Sequence, residues 1–112
     1  NVINVTNMGS MFSFATAFNQ NLGPWGTRLN PNVSLNSFLN NSGLNISNYD
    51  ALLDGFNTGT VTGRNMGASA LRYCSGAASR SNLTTTGVGN RNWTITGDLF
   101  PITTILTQPI TN

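Results

Sequence analysis

Few side chains in this sequence could carry acid–base chemistry. The chain has no His, Lys or Glu, so its five positive charges are all Arg and its three negative charges are all Asp. Asp50 and Asp54 stand four residues apart, which would place both carboxylates on one face of a helix. A carboxylate pair is one interpretation, but we favour a helix-capping Asp beside a surface Asp. We therefore expect a protein that is not an enzyme and has no catalytic residues.

Cysteine and metal chemistry are equally restricted. Cys74 is the only cysteine, so we expect a small buried apolar residue, with a bond to another chain as the alternative. It has no His to act as a base, and zinc sites need several Cys or His ligands. A calcium site made by Asp50, Asp54 and Asn side chains is a weak alternative. The glycines form no phosphate-binding loop. The sequence predicts no metal and no cofactor.

Length and charge limit the class of protein. The 112 residues suffice for one small domain, and 38% are hydrophobic, which permits a real core. Only 7% are charged, so Asn, Ser and Thr must form most of the polar surface. The Arg residues are scattered, which argues against nucleic-acid binding, and no stretch is long enough for a membrane span. Because the first residue is Asn rather than Met, we expect a fragment or processed product.

Apolar spacing predicts the secondary structure. Residues 2–5 are predicted to be extended and residues 8–15 to form one or two helical turns. Helices are predicted over 47–56 and 71–83. Strands are predicted over 59–63 and 92–98. The tail after Asp98 is β-prone, with Pro101 and Pro109 limiting it to an edge or linker. The residues that we expect in the structural core are Val5, Met8, Met11, Phe12, Phe18, Leu22, Leu52, Leu53, Phe56, Tyr73 and Cys74.

The order of elements is repeated once. The stretch NVSLNSFL at 32–39 echoes NVTNMGSMF at 4–12, with Val5 and Val33 standing 28 residues apart. A period of this size is typical of solenoids, in which stacked units bury a face that no single unit can bury alone. Chance similarity in an Asn-rich chain is the alternative.

The opening stretch NVTNMGSMFSFATAFNQNLGPW resembles the repeat of BspA-type bacterial surface-protein leucine-rich repeat proteins. The matching positions are Val5, Thr6, Met8, Met11, Phe12, Ala15, Phe18, Asn19, Gln20, Leu22 and Trp25. The segments 48–56, 73–83 and 93–98 resemble the closing end of such arrays. Gly23 and Pro24 depart from the usual small polar pair, and the stretch TRLNPNVSLN is irregular.

This resemblance implies an α/β solenoid, with right-handed, leucine-rich-repeat-like units of strand plus helix. Residues 1–56 would form two units, the second degenerate. Residues 57–98 would form a C-terminal cap with a short strand, a helix and a strand, and 99–112 a β-prone tail or linker. It also implies secretion or display on a bacterial surface, and a role in adhesion.

The expected function is therefore non-enzymatic binding of an extracellular protein or glycan. The alternatives are a structural subunit of a virion or extracellular filament surface, in contact with further copies or subunits, and a carbohydrate-binding module. We expect neither nucleic acid nor a membrane span among its interactions. The possible partner contacts are Trp25, Arg28, Arg64, Arg91 and Trp93. For the two tryptophans we favour a place in the core or the cap, with an exposed platform for a sugar or a partner as the alternative.

Overall fold

The computed structural model describes residues 2–100 of the chain. A 3₁₀ helix spans Gly23–Arg28, and two α-helices follow, α1 at Ile46–Thr58 and α2 at Ala77–Thr84. Two three-residue strands, β1 at Asn65–Gly67 and β2 at Thr94–Thr96, form a parallel sheet. The tail prediction for 99–112 lies almost entirely outside the described residues.

Helix α1 has local signals at both ends. The Asn45 side chain accepts a hydrogen bond from the Asn48 backbone N–H at 2.8 Å, so Asn45 is the N-cap. Gly59 ends the helix, and its N–H donates to the Phe56 carbonyl. The buried side of α1 recurs at helical spacing and consists of Tyr49, Asp50, Leu52, Leu53 and Phe56.

Short parallel pairings bring distant parts of the chain side by side. In the sheet, Met66 pairs with Ile95. Isolated parallel bridges join Asn7 to Ser34 and Leu35 to Met66. Side chains alternate in extended backbone, so these pairings leave one row of apolar side chains pointing inward. The buried row consists of Met8, Leu35, Met66 and Ile95.

The predicted solenoid is wrong. The chain folds as a small domain of three helices and a two-stranded parallel sheet, and no solenoid of repeated strand–helix units is evident within residues 2–100. Residues 4–22 contain turns and one isolated bridge, with no helix. Ser10 and Phe14 adopt left-handed backbone, with φ of 58° and 59°, which interrupts any helix there. Every second N–H group from Met8 to Phe14 donates to a carbonyl of residues 34–40, while those between them form local turns.

The bounds of α2, β1 and β2 also differ from the predicted ones. The helix predicted over 71–83 begins only at Ala77 and ends at Thr84, because the Tyr73 N–H donates to the Leu99 carbonyl instead of joining the helix. The strand predicted over 59–63 is displaced to Asn65–Gly67, and the one predicted over 92–98 is confined to Thr94–Thr96. No helix among residues 2–100 has the length and apolar character needed to cross a bilayer.

The structure separates the predicted core residues into three groups. Met8, Leu22, Leu52, Leu53 and Phe56 lie in the buried core, while Phe12, Phe18 and Tyr73 are half-buried and pack against it. Val5, Met11 and Cys74 are exposed, which corrects their assignment to the core. Val5 and Met11 belong to the outermost paired segment, and the segment around Cys74 runs along the surface to reach Asp50.

Glycines allow the 3₁₀ helix to lie directly on α1. A Cβ atom at Gly55 would collide with the Gly23 carbonyl and would lie 2.5 Å from the Gly23 Cα. A Cβ atom at Gly26 would collide in the same way with the backbone of Gly55. The close contact between these two helices therefore depends on the missing side chains.

We expect Gly55→Ala to destabilise the fold by about 1–3 kcal/mol, since backbone must move to admit the methyl group. Helix propensity alone predicts the opposite sign, a gain of about 0.5–1 kcal/mol. Urea denaturation measures the change, with Ser47→Ala on the exposed first turn of α1 as the control. A stabilised Gly55→Ala protein would show that the two helices do not pack in this way.

Candidate functional site

The parallel pairings also create a polar surface. Because Met66 and Ile95 point inward, Asn65 on one side of Met66 and both neighbours of Ile95 point outward, while Gly67 is buried. The residues flanking Met8 and Leu35 also point outward. We call this surface the polar face. Its amide and hydroxyl side chains are those of Asn7, Ser34, Asn36, Asn65, Thr94 and Thr96.

Two adjoining depressions indent the polar face. One has a volume of about 170 Å³ and lies between residues 32–36 and 63–65. The other, of about 380 Å³, extends from Ser37 and Asn40 to Thr94 and Thr96. Asn36 and Asn65 border both, so the two depressions form one shallow trough. Neutral hydrogen-bonding groups dominate its lining, which suits an uncharged polar ligand.

Of the five predicted partner contacts, Arg64 alone borders this trough. Its guanidinium donates to the Val33 carbonyl at 3.2 Å, which fixes the side chain at the rim. Arg28 is exposed on the 3₁₀ helix, and the half-buried Arg91 donates to the Asn57 carbonyl at 3.1 Å. The structure therefore does not bring the predicted arginines together.

The two tryptophans lie away from the polar face. Trp93 is 3% exposed and donates its indole N–H to the Val61 carbonyl at 2.9 Å, so it belongs to the core and not to a partner contact. It packs edge-on against Phe56 at 5.9 Å between ring centroids. Trp25 is half-buried and lies 6.2 Å from Phe12, which stacks on Phe18. Aromatic packing thus occupies both indole rings.

Asp50 organises the loop before α2. Its carboxylate accepts hydrogen bonds from the backbone N–H groups of Cys74, Ser75 and Gly76 at 2.8–3.2 Å, and from the Ser75 hydroxyl at 3.1 Å. Four donors on one buried carboxylate leave little capacity for a metal ion or a proton transfer. The role of Asp50 is therefore structural.

Asp54 has a different environment from Asp50. It is exposed, and its carboxylate accepts a hydrogen bond from the Ser79 hydroxyl at 2.6 Å. The two carboxylates bind separate donors and do not act as a pair. Within residues 2–100, no three Cys, Asp, Glu or His side chains lie close enough together to hold a metal ion.

We expect Asp50→Ala to destabilise the protein by about 2–3 kcal/mol, because it leaves several backbone N–H groups without an acceptor. Asp54→Ala, on the exposed side of the same helix, should change stability by no more than about 0.5 kcal/mol. Both values come from urea denaturation. Equal effects of the two substitutions would contradict the structural role given to Asp50.

A buried polar network joins α1, α2 and the chain after β2. The Tyr49 hydroxyl donates to the Asp98 carboxylate at 2.6 Å, and Arg80 donates to both Asp98 oxygens at 2.6 and 2.7 Å. Arg80 also lies over the Tyr73 ring at 5.1 Å. Burial raises the pKa of the Tyr49 phenol well above its usual range, and the Asp98 charge raises it further. The hydrogen bond with Asp98 also raises the pKa of Arg80.

This network predicts a loss of stability at alkaline pH. Because the pKa of Tyr49 is higher in the folded than in the unfolded protein, its contribution is complete below about pH 10, where the unfolded phenol titrates. The contribution then decreases as the pH rises towards the folded pKa. Urea denaturation across this range should show the decrease in the wild type and in the control Tyr73→Phe, and a smaller one in Tyr49→Phe. Identical pH profiles for all three proteins would contradict this role of Tyr49 in the alkaline loss of stability.

Alternation around Ile95 underlies the strand predicted over 92–98, whereas the same pattern around Met66 was missed and the other strand was predicted over 59–63. Met66 and Ile95 are single apolar residues, each flanked by small or polar ones, which is the pattern of a strand with one buried face. Neither strand is long enough for the alternation to be distinctive in an Asn- and Thr-rich chain. The pairing of the two strands made the face recognisable.

Comparison with known proteins gives one match. The family described as "Mycoplasma protein of unknown function, DUF285" matches residues 1–64, which is more than half of the chain. These residues include the N-terminal part of the polar face and helix α1. Neither the curated proteins nor the solved structures give a match to this chain.

Proposed function

The chain belongs to the DUF285 family, whose function is unknown, and we propose that it is a non-enzymatic binding module that contacts its partner through the polar face. The observation that carries the proposal is the trough lined by neutral amide and hydroxyl groups from three separate segments, at residues 32–40, 63–67 and 94–96. A surface assembled from several segments positions its groups more rigidly than one loop does, which reduces the entropic cost of binding.

The chemistry of the polar face supports binding rather than catalysis. Its side chains are amides and hydroxyls, and the one charged group at its rim is the guanidinium of Arg64, which is already hydrogen-bonded. The buried aspartates are engaged elsewhere, Asp50 with the loop before α2 and Asp98 with Tyr49 and Arg80. Among the described residues, no carboxylate lines the trough.

Among extracellular partners, a protein is favoured over a glycan. Sugar-binding sites commonly stack an aromatic ring on the sugar, and neither Trp25 nor Trp93 borders the trough. Asn, Ser and Thr side chains can both donate and accept, so they can pair with the peptide groups of an uncharged polypeptide. Carbohydrate binding is the second outcome of the test below.

The proposal also includes the cellular location of the module. The opening stretch resembles the repeat of BspA-type bacterial surface proteins, which supports display on a cell surface and a role in adhesion. The low charge fits this setting, because contact through a neutral surface is short-ranged and changes little with salt concentration. On these grounds we propose that the protein acts outside the cell.

Binding to immobilised collagen, fibronectin and an array of neutral oligosaccharides tests the proposal, with biolayer interferometry as the measurement. We expect the wild type to bind one of the proteins, and Asn36→Arg and Thr94→Arg on the polar face to weaken that binding at least about tenfold. Ser47→Arg, on α1 away from the face, should bind as the wild type does. Raising the salt concentration should alter the Kd by less than about threefold.

Three results would count against the proposal. The first is that no immobilised probe retains the wild type. The second is that the two polar-face variants bind as tightly as Ser47→Arg. Binding confined to the oligosaccharides, and lost in the polar-face variants, would replace the protein partner with a carbohydrate.

A further inference from the structure

Most asparagine side chains of this Asn-rich chain are hydrogen-bonded within the molecule. Asn40, for example, accepts a hydrogen bond from the Ser69 backbone N–H at 3.0 Å. Among the described residues, no hydrogen bond reaches the carboxamides of Asn32, Asn36 or Asn65, and all three are exposed and border the trough. These carboxamides are therefore available to a ligand with all of their donors and acceptors.

Two of these carboxamides have the spacing of an extended polypeptide backbone. Asn65 precedes Met66, Asn36 follows Leu35, and Leu35 and Met66 are paired in parallel. The two asparagines therefore stand two positions apart along the pairing direction, which corresponds to about 6.6 Å of extended backbone. Peptide groups on one side of an extended chain recur at the same interval, because they too are two residues apart. An extended segment lying along the trough would thus bring one peptide group to each carboxamide.

Strand β2 repeats this interval beside Asn65. Thr94 pairs with Asn65, and Thr96 lies two positions further along the strand. Both threonines are exposed and border the larger depression of the trough. Their hydroxyl groups can donate or accept, so an extended segment would meet a second row of hydrogen-bonding groups at the same spacing.

The trough offers no apolar pocket to a partner. The apolar residues along it, Val33, Leu35 and Met66, are each 1% exposed. Affinity must therefore come mainly from hydrogen bonds and not from bulky side chains of the partner. Peptide groups in the helices and sheets of a folded partner are already paired with each other. An extended chain without internal hydrogen bonds presents all of its peptide groups.

We propose that the polar face binds an extended, uncharged polypeptide segment with small side chains, and that Asn36 and Asn65 bind its backbone. This inference rests on the proposed function and specifies the part of the partner that is bound. Each carboxamide has one carbonyl and two N–H donors, so it can pair with both the C=O and the N–H of a peptide group. Because the lining is neutral apart from Arg64 at the rim, the trough offers little to a charged side chain.

Titration of the ¹⁵N-labelled 112-residue chain with two synthetic peptides, followed by NMR, tests the proposal. The first peptide is an acetylated and amidated chain of alternating Ser and Gly, about eight residues and thus about 26 Å long when extended. The second has the same sequence with a methyl group on every backbone nitrogen, so it keeps its carbonyls and has no backbone donors. The side-chain NH₂ signals of Asn36 and Asn65 report contact at each carboxamide separately.

We expect the unmethylated peptide to shift both NH₂ signals with a Kd on the order of 1 mM, and the methylated one to bind at least about tenfold more weakly. Asn36→Leu and Asn65→Leu keep the approximate size of the side chain and remove its hydrogen-bonding groups, so each should weaken binding about three- to tenfold. Asn4→Leu is the control, because the Asn4 side chain is exposed and lies outside the trough. Thermal unfolding of each variant establishes that it remains folded.

Three results would overturn the proposal. They are the absence of shifts at both NH₂ signals, equal affinity for the two peptides, and binding by Asn36→Leu and Asn65→Leu as tight as that by Asn4→Leu. If a protein probe still binds in these cases and Asn36→Arg and Thr94→Arg still weaken its binding, the polar face remains a binding surface and only the extended partner is rejected. If no immobilised probe binds either, the proposed function fails as well.

Discussion

Backbone pairing between segments far apart in the sequence is the constraint on which the structure depends. Residues 4–22 form no helix that could satisfy their peptide groups locally, and buried peptide groups must be paired. Residues 34–40 accept from every second N–H group between Met8 and Phe14, and residues 67–69 accept from Leu39 and Asn41 in turn. Each pairing turns one apolar residue inward and its neighbours outward. The buried row and the polar face are therefore two sides of the same arrangement.

The scarcity of charge on the surface follows partly from where the charges lie. Asp50 and Asp98 are buried, and each accepts several hydrogen bonds that join parts of the chain distant in sequence. Arg80 pairs with Asp98, while Arg64 and Arg91 donate to backbone carbonyls. A buried ion pair is costly unless its remaining bonding groups are satisfied, and Tyr49 supplies the third donor to Asp98. Amides and hydroxyls then form most of the surface that a partner can contact.

Local signals in the sequence predicted local structure well and pairing poorly. Helix α1 was recognisable from the helical spacing of its apolar residues, although it begins at Ile46 and ends at Thr58 rather than at 47 and 56. Met8, Met11 and Phe12 have helical spacing too, but their backbone is fixed by residues 34–40, which no local pattern reveals. The Tyr49–Asp98 hydrogen bond joins residues 49 positions apart, and neither neighbourhood predicts it. The polar face combines three segments, so its composition was predictable and its location was not.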